Sequence, residues 1–511
     1  MGVHFDASWL TLTAPLLVCT GGGLLLLLLE AFAIGKGSDD PGNPTPLSHG
    51  WLAMVAVVLL LVAAALEVSA WSGAETPRLI YDGMLVVDRF SIFLGVVFFA
   101  GAALSVMLAG GFLREHRFDF GEFYALVLFA TAGMLILAHA ATLVTLFVGV
   151  ETMSLAVYVL VGSWRHSAKS SEGAMKYFLV GAFASAVMLY GIALIYGASG
   201  TVSLAELSSM GRGGSVPGLT VADPVFLIGM VFLIGGLAFK VAAVPFHMWA
   251  PDAYEGAPTP VTAFMAAGVK AAAFGAVVRV FGTAFRHEAL TFGVSGWASI
   301  ASVLAILTMS IGNLAALRQD NVKRMLAYSS IAHAGYLLLG VAAMGAGGAE
   351  ARGPILYYLT TYTFATIGSF GVVAWFGSRG DERQQLDDWA GMATRHPAGA
   401  FAMTLFLLSL GGVPPTGGFF AKLYIFRIAL QKADLLPVVI IAVANSLVSV
   451  FYYLRVVSTM YFRELGREPT PLRAPGVSAA LVVAAVGTLF LGLFPSWLSD
   501  IAAAATMYLP K

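Results

Sequence analysis

Fourteen apolar runs follow one another along this chain with short turns between them, and each comes close to the roughly 20 residues a helix needs to cross hydrocarbon. They fall near 8–34, 50–71, 84–111, 122–138, 142–163, 172–197, 224–249, 257–282, 296–317, 323–345, 353–377, 398–431, 434–462 and 474–496. Hydrophobic side chains make up 59% of the 511 residues and charged ones 11%, far from the balance of a water-soluble domain. The fold class is therefore all-α and polytopic in a membrane. Turns such as 39–44 and 211–218 are rich in Gly and Pro and too short to build an extramembrane domain.

Charge narrows the function. A formal net charge of zero without a long basic tract removes the electrostatic footprint of nucleic-acid binding. The one cysteine, Cys19, lies in the first apolar run, so neither a disulfide framework nor a Cys-based metal or iron–sulfur site is expected. That first run is too long for a signal-peptide core and reads as a retained helix. Loop Lys and Arg residues divide about fourteen to six between the two sides. The positive-inside rule then puts both termini outward, on the side of the periplasm or its equivalent.

Two runs are interrupted. Lys240 is followed by Pro245 within the seventh, and Pro414, Pro415 and several glycines precede Lys422 within the twelfth. Proline removes a backbone donor and clashes with the preceding turn, so both crossings are expected to be discontinuous helices. They are five crossings apart, and an odd offset inverts one unit against the other. The expected organisation is three helices in 1–121, five-helix units in 122–285 and 286–470, and a last helix in 471–511.

Ionisable residues stand out against this background. Glu151, Lys270 and His333 fall near the middles of crossings five, eight and ten, while Lys240 and Lys422 adjoin the two breaks. Each Lys or Asp at a helix centre costs roughly 2.5–3.5 kcal/mol on insertion scales, which makes such a residue a functional candidate. Burial drives an isolated lysine toward its neutral form and a nearby carboxylate restores the charge, so a Glu–Lys pair can act as a proton switch. Glu151 with Lys240 is the natural pair, and Lys270, His333 and Lys422 are the later stations, histidine being close to equally stable in both forms near neutral pH. Exposed backbone at the breaks supplies the polar lining such a row needs.

The segments Phe147–Tyr158, Ser171–Ser185, Pro245–Thr262, Lys323–His333 and Pro414–Lys422 resemble, in order, the antiporter-like membrane subunits of respiratory complex I. The resemblance covers most of the chain after about residue 85. Subunit M of that complex is similar but carries a glutamate where this chain has Lys422, and subunit L is longer, with a lateral helix. The resemblance implies Glu151 and Lys240 as a coupling ion pair, Lys270 and His333 as central relays and Lys422 as the terminal protonatable group. It implies a proton-translocating translocase subunit without a redox site of its own. FMN, iron–sulfur clusters and quinone would belong to partner subunits. The expected neighbours are subunit M, the small subunit K and the lateral helix of subunit L, besides membrane lipid. The alternatives are a multisubunit Na+/H+ antiporter and a membrane-bound hydrogenase.

Other residues have plainer readings. Glu172 and Lys176 are four apart on one helix face, a spacing that also stabilises exposed helices, and they join His247 as secondary proton-path candidates. Arg279 and Arg455 are expected as interfacial anchors or subunit contacts. Gly181 and Ser185 are expected to serve packing only. Asp252 and Glu255 are expected in a solvated turn, and the tract from Arg379 to Asp388 in a solvated loop. If His333 is a core histidine, Tyr336 and Ser329 are its expected partners.

Overall fold

The computed structural model describes residues 6–34, 50–118, 120–209, 223–291, 293, 296–345, 349–378, 382–466 and 471–509. The turns at 39–44 and 211–218, and Arg379, lie outside the described residues. Crossings 1 to 6 are Ala14–Ile34, Gly50–Ser69, Arg89–Glu115, Gly121–His139, Leu143–Val161 and Ala168–Ser199. Crossing 7 is split into Pro224–Lys240 and the short helix Trp249–Gly256, which lies past the apolar span, and crossing 8 runs through Thr259–Thr283. Crossings 9 to 11 are Trp297–Leu317, Val322–Gly345 and Arg352–Phe376. Crossing 12 is split into Pro397–Gly411 and Gly417–Leu430, and crossings 13 and 14 are Leu436–Phe462 and Pro475–Leu493.

The two splits end their first halves in the same way. In crossing 7 the Ala243 N–H reaches the Ala238 carbonyl at 2.8 Å around Ala242, whose φ is +58°. In crossing 12 the Val413 N–H reaches the Leu408 carbonyl at 2.9 Å around Gly412, whose φ is +83°. Both are Schellman-type ends, which stop a helix by turning one residue left-handed. Alanine in that conformation costs roughly 1–2 kcal/mol, so the surrounding packing must impose it.

Glycine sets the corresponding helix pairs. A Cβ on Gly133 would come within 2.3 Å of the Met153 nitrogen, and one on Gly149 within 2.7 Å of the Leu137 nitrogen, so crossings 4 and 5 touch backbone to backbone. Crossings 9 and 10 interlock alike, Gly312 against Ala332 at 2.6 Å and Gly335 against Met309 at 2.5 Å. Small residues are what allow membrane helices such close approach. Crossing 8 is buried along nearly its whole length, whereas crossings 1, 2, 6, 9 and 13 present large apolar side chains outward. A two-stranded hairpin, Arg78–Ile80 with Leu85–Val87, precedes crossing 3, which therefore begins later than the apolar run at 84 suggests.

Asp88 anchors this end of the fold. Its carboxylate caps crossing 3 by accepting from Ser91 N–H, and it pairs with Arg279 of crossing 8 through bonds of 2.7 and 2.9 Å. It also accepts from the Tyr508 N–H, which pins the C-terminal segment, and Arg279 donates to the Ala138 carbonyl. Arg279 is thus buried inside the protein and is no interfacial anchor. Arg455 likewise spends its donors within the chain, on the Leu317 and Gln319 carbonyls. Removing one member of a buried pair leaves the other uncompensated, at a cost of roughly 3–5 kcal/mol. Asp88→Asn is expected to lower the thermal unfolding midpoint of the purified protein sharply; an unchanged midpoint would show that the pair carries no stability.

Candidate functional site

Lys240 is the last residue of the first half of crossing 7, where the broken helix leaves its amine facing crossing 5. Its Nζ donates to Ser154 Oγ at 2.8 Å and to Tyr158 OH at 3.3 Å. Ser154 in turn donates to the Val150 carbonyl one turn back. Glu151 lies on the same helix, half-buried on a face it shares with the exposed Val148 and Leu155. Its carboxylate accepts from Ser185 Oγ of crossing 6. Glu151 and Lys240 therefore stand as neighbours on separate partners, with no ion pair between them among the described residues. Ser185, expected to serve packing alone, is a ligand of the carboxylate. Gly181 packs against the Tyr158 hydroxyl that Lys240 uses.

Lys270 follows a single π-helical turn, Met265–Val269, inside crossing 8. Such turns insert a residue into the ladder and recur at functional sites. The amine donates to both the carbonyl and the hydroxyl of Ser330 in crossing 10, and its nitrogen lies 5.8 Å from the centre of the Tyr362 ring. His333, one turn further along crossing 10, contacts the Tyr358 hydroxyl through Nδ1 at 2.6 Å and the Tyr453 hydroxyl through Nε2 at 3.3 Å. Its hydrogen-bond partners are thus Tyr358 and Tyr453 in place of Tyr336 and Ser329. Ser329 instead bonds Tyr453, and Tyr336 sets its ring edge-on to the imidazole.

Lys422 lies in the second half of crossing 12 and reaches back across the break. Its amine donates to the Gly411 carbonyl at 2.8 Å, the open end of the first half, and to Ser446 Oγ at 3.0 Å. It also lies over the Tyr336 ring at 5.1 Å. Lys270, Tyr362, His333, Tyr336 and Lys422 therefore form one contact series, His333 and Tyr362 being ring neighbours at 4.9 Å. The Glu151–Lys240 pair forms a second group, and among the described residues no hydrogen bond of Lys240 leads on to Lys270.

A third group occupies one membrane face, beside the break in crossing 7. Arg324 donates to Asp252 and Glu255 at 2.8 Å each, Lys176 to Asp252 at 2.7 Å and Lys169 to Glu255 at 2.9 Å. Lys176 also pairs with Glu172 at 2.6 Å. Asp252 and Glu255 are thus members of an ion-pair network joining crossings 6, 7 and 10, in contrast to a solvated turn. His247 sits within the break itself, and its Nδ1 is buried without a hydrogen-bond partner among the described residues. Burial pushes the Asp252 carboxyl up, but hydrogen bonds from Lys176 and Arg324 outweigh it and hold the group below its ordinary value. For Glu255 burial is likewise outweighed, by Arg324 and Lys169.

This fold, with split seventh and twelfth helices and buried amines beside the splits, defines the class of antiporter-like membrane subunits. Residues 140–451 match the family described as NADH:quinone oxidoreductase/Mrp antiporter, transmembrane. The chain is 48% identical over 501 residues to NADH-quinone oxidoreductase subunit N 1 of Sorangium cellulosum (strain So ce56), covering 97% of this chain and 98% of that one. Subunit N of Trichlorobacter lovleyi is 42% identical over 503 residues, covering 98% and 97%. A chain of respiratory complex I from Thermus thermophilus with bound aureothin superposes with a TM-score of 0.78 at 33% identity, covering 96% of this chain and all of that one. A chain of the Mrp complex from Dietzia sp. DQ12-45-1b, 23% identical and covering 97% and 96%, shares the fold with a TM-score of 0.80. The chain belongs to the subunit N family of NADH-quinone oxidoreductases.

Asp252 and Glu255 have depressed pKa values, so the stabilisation they contribute is present above their unfolded values of 3.8 and 4.5 and is lost as pH falls through the lower folded values. Arg324→Gln is expected to lower the thermal unfolding midpoint at pH 7 and to differ progressively less from the parent protein below pH 3.8. A difference independent of pH would contradict the network's role.

Proposed function

We propose that this chain carries protons across a bacterial inner membrane as one membrane subunit of an NADH:quinone oxidoreductase, driven by quinone reduction in other subunits. Glu151 and Lys240 form the coupling pair of this reading, Lys270 and His333 the central stations and Lys422 the terminal one. The observation that carries it is the set of three amines held at mid-depth by neutral acceptors. A hydroxyl such as Ser154 Oγ or Ser446 Oγ can accept from an ammonium and donate to a neutral amine. A buried salt bridge would hold each amine in one form.

His247, in the break, is placed as a proton-uptake group, with Glu172 and Lys176 supporting the nearby surface network. The units 122–285 and 286–470 act as related halves in this reading, supported by their matching glycine contacts and Schellman ends, and 1–121 and 471–511 flank them. The loop charges support outward-facing termini. Glu151, half-buried on an outer face, is a group that a neighbouring subunit would cover. Subunits M and K and the lateral helix of subunit L are the partners proposed. Flavin, iron–sulfur clusters and quinone are assigned to other subunits. The Na+/H+ antiporter and hydrogenase readings share the fold, but high identity to quinone oxidoreductase subunits over nearly the full chain favours the first reading.

Replacing a positioned proton carrier typically costs 10²–10⁴-fold. In the assembled complex, Lys240→Ala is expected to lower NADH-driven proton pumping at least about tenfold. Lys240→Arg, which keeps the charge but cannot release the proton, should fail as well. Pumping restored by arginine would assign Lys240 a purely structural charge and overturn the relay.

A further inference from the structure

The ends of crossings 2, 3 and 14 part around a cleft of about 690 Å³, within the roughly 300–1,000 Å³ of small-molecule sites. Among the described residues its mouth carries Arg114 and Arg117 at the end of crossing 3 and Arg473 ahead of crossing 14, against one carboxylate, Glu115. All three arginines are exposed, and no side-chain hydrogen bond or ion pair joins any of them to another described residue. Ala474, the N-cap of crossing 14, offers no side-chain cap, so first-turn N–H groups of that helix also face this end.

The floor differs from the mouth. Met54, Val57, Val106 and Met107 line it, while Gly111 backs directly onto Ala474 and Gly110 onto Ala53 at its edge. On crossing 2 the cleft continues outward into the exposed Met54, Val58 and Leu61, the surface that meets hydrocarbon. Cationic mouth, apolar floor and an opening toward the bilayer describe one amphipathic occupant.

We propose that this cleft binds an anionic phospholipid of the membrane, with the headgroup phosphate among Arg114, Arg117 and Arg473 and an acyl chain along the floor. Basic pockets between helix ends on the cytoplasmic side are where such headgroups are held. A free phosphate would engage the mouth and leave the floor empty. The occupant fills the space that the described residues leave between crossing 14 and crossings 2 and 3. This inference is independent of the proton relay.

The test measures phospholipid retained by the native assembly purified in mild detergent, by mass spectrometry. The double variant Arg114→Gln with Arg473→Gln should retain anionic lipid more than about tenfold less tightly, since each juxtamembrane charge contributes a comparable factor. The same positions changed to Lys should retain it, and Arg318→Gln, an exposed control outside the cleft, should change nothing. Delipidated protein should take up phosphatidylglycerol in preference to phosphatidylcholine, and millimolar inorganic phosphate should not displace it. Equal retention in the double variant, no preference between the two lipids, or displacement by phosphate would each overturn the proposal.

Discussion

An amine inside hydrocarbon must be met by the protein, because no water is there to meet it. Lys240, Lys270 and Lys422 satisfy this demand without a carboxylate partner among the described residues. Lys240 uses two hydroxyls, Lys270 a hydroxyl and a carbonyl of the same residue, and Lys422 a hydroxyl and the open carbonyl at a helix end. Neutral acceptors stabilise the ammonium less than a salt bridge would, and leave the neutral amine affordable. That balance is what a reversible proton carrier requires, and it constrains everything around it.

The fold supplies those acceptors by local departures from regular helix. The break in crossing 12 exposes the Gly411 carbonyl, and the break in crossing 7 ends the helix beside Lys240. The π turn before Lys270 shifts its register toward Ser330. Such irregular backbone survives in a membrane only where protein encloses it. The glycine interlocks of crossings 4 with 5 and 9 with 10 provide rigid walls, and the Asp88–Arg279 pair fixes crossing 8, which carries Lys270, to crossing 3 and to the C-terminal segment.

Much of this was readable from the chain. Apolar length located every crossing, and the Pro and Gly clusters located both breaks, since these signals are local and strong. The buried lysines were conspicuous because charge is so rare around them. What escaped was pairwise and distant in sequence. Arg279 looked like an interfacial residue because its partner, Asp88, lies almost two hundred positions away. Ser185 carried no sign that its hydroxyl meets Glu151. Asp252 and Glu255 read as turn residues because Arg324 arrives from another unit. The π turn at Met265–Val269 has no composition of its own. The comparisons with relatives establish the family; they leave the roles of Glu151, Lys240, Lys270, His333 and Lys422 to experiment.

Among the described residues no hydrogen bond of Lys240 leads from the polar group around it to the one running from Lys270 through His333 to Lys422, although the rings of Tyr158, Tyr177, Trp249 and Tyr254 stand in contact between them. In the proposed relay, lateral proton transfer depends on water between Lys240 and Lys270. High-resolution cryo-EM density of the assembled complex tests this directly. The account predicts ordered waters linking the two amines, at least in one state of the working complex. A gap filled by tightly packed apolar side chains, dry in every state, would contradict it.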